Sequence, residues 1–383
     1  MYSLDLNQMS QNEFLSTYWQ KKPVVIRQGF KDFTDPISID EFAGIAMEET
    51  VQSRLLSKKN GQWQAEFGPF ESYDHLGDRD WSLVIQALDN FSEEAAALIE
   101  PFRFLPHWRL DDLMASFATP GGGVGPHIDN YDTFICQGSG KRHWRVGDSG
   151  PHVEVIAHEA LLHVEPFEAI IDVELAAGDI LYIPPGFPHE GIALEPSMSF
   201  SVGFRANSAI SLLSGFADHL IDHDLGGQLL EDPARQVITK SGEITKQDYA
   251  SIKTQLQNLL DDDSLFQHFV GNFLTNAKHE LDLMPSEAPF ASDEVSELLG
   301  IHAIKRLGGL RAFYFSDTVN EGVCYINGEK VSFDCEIAPA IKLLCDQVIV
   351  SPEELMPWRS NIAFINLMVN LLDQGYWFWS EVE

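Results

Sequence analysis

The chain is short of cysteine and shorter still of positive charge. Four cysteines, Cys136, Cys324, Cys335 and Cys345, are spread over 383 residues, and no two of them form a CxxC pair. A chain of this length needs no disulfide framework, so reduced cysteines in a cytoplasmic setting are expected. Only 25 Lys and Arg residues face 58 Asp and Glu, a formal net charge of −33. Such a molecule repels phosphate backbones at long range, which argues against nonspecific nucleic-acid binding, and it attracts a strongly basic partner. No stretch approaches the roughly 18 apolar residues of a membrane span. The opening MYSLDLNQMSQNEFLSTYWQKKP has no basic start followed by an apolar run, so it does not read as a signal peptide.

What is present is a folded composition, 44% hydrophobic and 11% aromatic, on a chain long enough for a large core with smaller appendages. Residues 1–90 read as a lead-in. A helix is expected near Ser10–Tyr18, a strand over PVVIRQG (23–29), and a strand-like segment over 60–70. Ser38–Met47 and Trp81–Asn90 both have mixed helical spacing. From about 101 to 206 the pattern changes to many short strands with Gly- and Pro-rich turns, starting with LMASFAT (113–119), which implies a sandwich or barrel. Beyond Arg205 the periodicity is helical at 208–223, 246–260 and 264–276. A mixed region from about 290 follows, with Asn327-Gly328 as a hairpin signal in CYINGEKVSF. Helices followed by a small hairpin allow a winged helix, but the region is acidic and offers few phosphate contacts. The expected organisation is a catalytic region over 1–206 with its core from about 90, a helical region over 207–285 and a C-terminal domain over 286–383.

Two segments carry the chemistry. In GPHIDN (125–130), His127 and Asp129 are two residues apart, so in extended backbone both side chains enter the same cavity. In ELAAGDILYIPPGFPHEG (174–191), a strand and a Pro/Gly turn deliver His189. Two imidazoles and one carboxylate make the facial triad of non-haem iron(II) oxygenases, which leaves coordination positions open. Zinc, manganese or nickel could occupy the same donors. The glycines of GGGVGP either let backbone approach a ligand or make a tight connection. The aromatic set Phe102, Phe104, Trp108, Phe117, Phe134 and Trp144 mixes core and pocket positions, and YWFW (376–379) is an apolar run that is costly to expose and could dock on another domain or subunit.

The segments FATPGGGVGPHIDNYDTFICQGSGKRHWRVG (117–147) and GDILYIPPGFPHEG (178–191) resemble the JmjC-type 2-oxoglutarate oxygenases. More narrowly, the whole chain resembles the bacterial ribosomal oxygenases that hydroxylate an arginine of a large-subunit ribosomal protein. The resemblance implies a mainly β, cupin-like double-stranded β-helix, a helical dimerisation region and a C-terminal winged-helix-like α+β domain. It implies iron(II) held by His127, Asp129 and His189. Molecular oxygen and 2-oxoglutarate would be co-substrates, with succinate and carbon dioxide as co-products. The far carboxylate of 2-oxoglutarate matches Arg142 in GKRHW, whose planar guanidinium suits a bidentate contact. Lys141 points the other way, and the Ser116 hydroxyl on the preceding strand could assist.

The acidic balance fits a basic ribosomal protein as substrate, and Asp132 and Glu190, beside the metal motifs, could meet its guanidinium. Asn130 and Tyr131 could shape the same mouth. The competing readings are a histidyl hydroxylase using the same iron site, a lysine demethylase, and a non-enzymatic cupin-like binder of basic proteins. A transcription factor fits worst, because no basic recognition helix is present.

Overall fold

The computed structural model describes residues 2–380 and divides them into two compact units, 2–206 with 278–282, and 207–277 with 283–380. The first unit opens with two short helices, α1 (Gln11–Thr17) and α2 (Ile39–Ile45). Both are started by a capping box, Ser10 with Glu13 and Ser38 with Glu41, which satisfies backbone donors that a helix start leaves open. Between and after them come β1 (Val24–Ile26), β2 (Ser53–Lys59), β3 (Gln62–Phe67) and β4 (Trp81–Ile85). The Trp81–Asn90 segment, expected to be helical, is thus strand followed by a 3-10 turn. Its spacing misleads because Ser82, Leu83, Val84 and Ile85 are all buried, so neither face is polar enough to show a two-residue period.

A short helix α3 (Glu93–Ala96) precedes the barrel strands. These are β5 (Leu110–Ala118), β6 (His127–Ile128), β7 (Tyr131–Gln137), β8 (Arg142–Gly147), a hairpin of β9 (Glu154–His158) and β10 (Leu161–Val164), β11 (Ala169–Leu175), β12 (Ile180–Ile183), β13 (Pro188–Ala193) and β14 (Ser197–Arg205). They form an eight-stranded sheet in the order β1-β12-β7-β14-β5-β4-β2-β3 and a four-stranded sheet in the order β11-β8-β13-β6. The chain crosses repeatedly between the two sheets, the winding of a double-stranded β-helix.

The sequence of β7 and β12 explains how the barrel is held. Both are continuous apolar runs because both faces are buried. Ile135, Leu181 and Ile183 point into the barrel and pack with Trp144, Val146, Leu175 and Phe187. Phe134, Cys136, Ile180 and Tyr182 point outward into a larger core built with the N-terminal elements. There the Phe134 ring lies 4.6 Å from Phe102, 4.9 Å from Tyr182 and 5.5 Å from Phe14. Truncating a buried phenylalanine in such a cluster costs about 3–5 kcal/mol. Phe102 and Phe134 are therefore core residues, whereas Trp108 is exposed.

The second unit holds three longer helices, α4 (Ala209–Asp222), α5 (Lys246–Leu260) and α6 (Asp263–Thr275), at the positions their periodicity gives. After α7 (Ser292–Leu298) come β15 (Ala303–Arg306), β16 (Ala312–Phe313), β17 (Val323–Ile326), β18 (Glu329–Ser332), α8 (Ala338–Asp346), β19 (Ile349–Val350), α9 (Pro352–Leu355), α10 (Ile362–Asp373) and β20 (Trp377–Ser380). The hairpin β17–β18 turns at Asn327-Gly328, both left-handed with φ of 49° and 78°. The terminal aromatic run lies in a sheet of this unit. It is β20, paired with β15 in the order β19-β15-β20, with Trp377 buried.

Candidate active site

His127 and His189 face each other as a direct cross-strand pair between β6 and β13. Each ring is oriented in the same way. His127 Nδ1 lies 2.9 Å from the Gly125 carbonyl and His189 Nδ1 lies 3.1 Å from the Phe187 carbonyl, in both cases two residues back along the chain. A carbonyl can only accept, so each Nδ1 carries the proton and each Nε2 keeps its lone pair. Those Nε2 atoms converge on Asp129, at 3.8 Å from Oδ1 for His127 and 3.6 Å from Oδ2 for His189. Among the described residues this is the one group of three such side chains whose donor atoms lie within 4.8 Å of one another. Burial, with the neighbouring His127, pulls the His189 pKa down to about 4, so the ring is neutral near pH 7. Two neutral imidazoles and a carboxylate, with no thiolate, suit iron(II) with open positions.

Deeper in the barrel, Arg142 of β8 is buried and reaches across to the larger sheet. Its Nη1 donates to Ser116 Oγ at 2.8 Å, its Nε to Ser197 Oγ at 3.0 Å, and its Nη2 to the carbonyls of Ser116 and Ser197 at 2.8 and 3.0 Å. All these partners are neutral, and among the described residues no carboxylate lies within ion-pair distance. Burial pulls the guanidinium down to about 9, still a cation near pH 7. A buried charge without a counter-ion is costly, and an anionic ligand would supply one. Arg142 and Ser116, expected from the sequence to share one carboxylate, are neighbours, while Lys141 is exposed.

A third feature escaped the sequence reading. A cavity of about 270 Å³ is lined by Asp111, Asp112, Met114, Tyr131, Thr133, Ser201, Gly203, Arg205 and His279, among others. Tyr131, two residues beyond Asp129, lines this cavity and so sets it beside the triad, and burial with that carboxylate nearby raises the phenol pKa. Asp112 Oδ2 accepts from the Ala87 N–H at 2.9 Å and lies 3.7 Å from His279 Nε2. Burial and the adjacent Asp111 push its carboxyl above the usual range. Thr133 Oγ1 is buried with no partner, a further sign of a polar occupant. The signal for Asp112 was available. It shares a strand face with Ser116, four residues on.

Two expectations fail here. Asp132 cannot meet a substrate, because it is wholly buried on the opposite face of β7. It accepts from Tyr182 Oη at 2.6 Å, Gln20 Nε2 at 3.0 Å and Arg109 Nη2 at 3.1 Å. Glu190 follows His189 on β13 and so points out of the barrel, 4.0 Å from Arg145. The glycines of the 121–125 loop serve close packing: a Cβ on Gly123 would stand 2.4 Å from the Gly191 carbonyl oxygen.

Residues 97–212 match the JmjC domain family, and residues 258–378 match the ROXA-like winged helix. The winged-helix match begins upstream of 286 and takes in α6. The chain is 46% identical over 379 residues to the ribosomal protein uL16 3-hydroxylase of Escherichia coli, covering 99% of each chain. It superposes on the Escherichia coli ribosomal oxygenase YcfD in complex with cobalt and 2-oxoglutarate with a TM-score of 0.90 at 44% identity, over 99% of this chain and all of that one. The complex of the same enzyme with cobalt and succinic acid gives 0.90 at 43%. This chain thus belongs to the bacterial JmjC-type ribosomal oxygenases, dioxygenases that use iron(II) and 2-oxoglutarate.

Proposed function

We propose that the protein hydroxylates an arginine side chain of a large-subunit ribosomal protein, the counterpart of uL16. The observation that carries the arginine is the acidic cavity beside Asp129. A guanidinium is planar, permanently charged and rich in donors. Asp112 offers it a desolvated carboxylate, and Tyr131 and Ser201 offer hydroxyl groups around it. Arg205, Lys278 and His279 temper the two aspartates before substrate arrives. The net charge of −33 favours encounter with a basic protein.

In this reading His127, Asp129 and His189 hold the iron. Each Nδ1 keeps its proton and donates it to its carbonyl partner, so both rings present Nε2 without rearrangement. Arg142 and Ser116 take the far carboxylate of 2-oxoglutarate, which gives the buried guanidinium its counter-ion. The apolar lining of Ile135, Leu181 and Ile183 keeps bulk water from the reacting carbon. The bound metal with its co-substrates supplies the oxidising power to place one oxygen on an unactivated C–H bond, releasing succinate and carbon dioxide. The protein acts by holding the arginine at Asp112, so that one methylene faces the metal.

The second unit supports a homodimer. Ile210, Leu213 and Ile221 on α4 and Tyr249, Ile252 and Leu256 on α5 are all exposed. So many large apolar side chains on two helices call for a cover, and a second copy of the chain is the simplest one. The protein is assigned to the cytoplasm and to no direct nucleic-acid contact. No helix among the described residues is long and apolar enough to cross a membrane.

The test is to incubate the anaerobically iron-loaded protein with 2-oxoglutarate, oxygen and the ribosomal protein, then read intact and fragment masses. A gain of one oxygen on one arginine, dependent on 2-oxoglutarate, is expected. The same gain on a histidine would replace the arginine reading. No gain, with iron and 2-oxoglutarate both bound, would direct attention to another protein substrate or to a binding role.

A further inference from the structure

The hairpin β9–β10 interrupts the barrel between β8 and β11, and nothing in the reaction calls for it. Its inner strand nevertheless ends against the loop that delivers His127. His163 of β10 is buried, and its Nε2 lies 2.9 Å from the Val124 carbonyl, which fixes a proton on that nitrogen. The next residue continues the hold, with the Val164 N–H donating to the Pro126 carbonyl at 2.9 Å. Between those two anchored carbonyls lies the Gly125 carbonyl, the acceptor for His127 Nδ1. The His163 ring also fills the space over Gly125. A Cβ there would stand 2.2 Å from His163 Cε1, and Gly125 has a φ of 82°, where only glycine is relaxed. From the other side, the Trp63 indole of β3 meets the His163 ring edge-on, 4.9 Å between centroids at 87°.

We infer that His163, braced by Trp63, is a positioning residue for the metal site. It anchors the 124–126 backbone so that the Gly125 carbonyl holds the His127 ring with Nε2 toward Asp129 and His189. The inference rests on His127 being a metal ligand. His189 has its own carbonyl partner, Phe187, and does not depend on this hairpin.

Partners of ligating histidines are worth about 10–100-fold in metal affinity. A partner acting one carbonyl away belongs near the lower end of that range. The experiment titrates cobalt(II) into metal-free wild type, His163→Ala, His163→Gln and Trp63→Leu, following the visible bands, with melting of each metal-free form as a fold control. His163→Ala should bind cobalt(II) about tenfold more weakly, with altered band intensities. His163→Gln, which can still donate to the Val124 carbonyl, should recover most of the affinity and the wild-type bands. Trp63→Leu should fall between.

Unaltered affinity and spectrum in His163→Ala would overturn the inference. So would equal impairment of the alanine and glutamine variants, which marks a packing role only. If His163→Ala does not fold, the glutamine and Trp63 variants decide: wild-type cobalt binding in Trp63→Leu together with loss in His163→Gln overturns it. A wild type that binds no cobalt(II) would instead sink the assignment of the triad.

Discussion

The barrel interior has two polar poles of opposite sign. Along one face of β5, Asp112 and Ser116 are four residues apart, roughly 13 Å at strand spacing. At the Ser116 end a lone cation, Arg142, is surrounded only by neutral hydroxyls and carbonyls. At the Asp112 end Asp111 is paired with Arg205 and Lys278, Asp112 faces His279, and Tyr131, two residues from Asp129, lines the same cavity. The difference assigns the ligands. The pole with a missing negative charge fits a small dianion that must be bound for every turnover. The tempered acidic pole fits a cationic side chain that comes and goes with a protein.

The largest effect should come from the metal that both poles serve. Asp129→Ala removes a donor outright, so cobalt(II) affinity, read by titration, should fall by more than the roughly 100-fold that an outer partner can cost. Arg142→Met attacks one pole only. Losing one partner of a buried charge pair costs about 2–5 kcal/mol, so the 2-oxoglutarate Kd, measured by calorimetry, should rise on the order of 30- to 5000-fold. Without ligand the same variant should lose only a little melting temperature, because the hydrogen bonds lost at Ser116 and Ser197 are offset by removal of a buried charge that nothing balances. A clear drop in Tm would mean that Arg142 is chiefly structural.

At the other pole, Asp112→Asn should leave 2-oxoglutarate binding within about twofold. It should lower kcat/KM for the ribosomal protein by roughly 10- to 100-fold, the worth of about 1.5–3 kcal/mol in one charged hydrogen bond. Equal losses at both ligands would erase the proposed division. The mildest probe is salt. Raising ionic strength should increase KM for the basic protein several-fold and move the 2-oxoglutarate Kd less, because the buried pole is poorly screened.

Much of this was legible in the residues. The triad could be read because His127 and Asp129 sit two apart in extended chain and His189 follows a turn that only Gly and Pro build. Arg142 could be read against Lys141 because strand alternation sends one in and the other out. Asp132 defeated the same reasoning. It lies three residues from Asp129, one of them at the β6–β7 junction, so nearness in sequence hid the fact that it faces the opposite core. Asp112 was passed over because the strand was read from Leu113, whereas β5 begins at Leu110 and carries Asp112 on the face of Ser116. His279 reaches the site from a segment, 278–282, that returns to the first unit after three helices, and no local pattern announces such a return. Trp81–Ile85 was misread because burial on both faces erases the alternation that marks a strand.

The carboxylate of Asp132 bears on how far the fold can be taken apart. Gln20, Arg109 and Tyr182 converge on it, and β1 extends the same sheet through β12. The lead-in is therefore woven into the barrel rather than strung in front of it. A minimal catalytic cassette cut near residue 90 would bare the outer faces of β7 and β12 and strand a buried acid without its glutamine. Shuffling this chemistry onto another scaffold has to carry the first ninety residues along, so the unit of inheritance is the whole sheet and not the motif-bearing half of it.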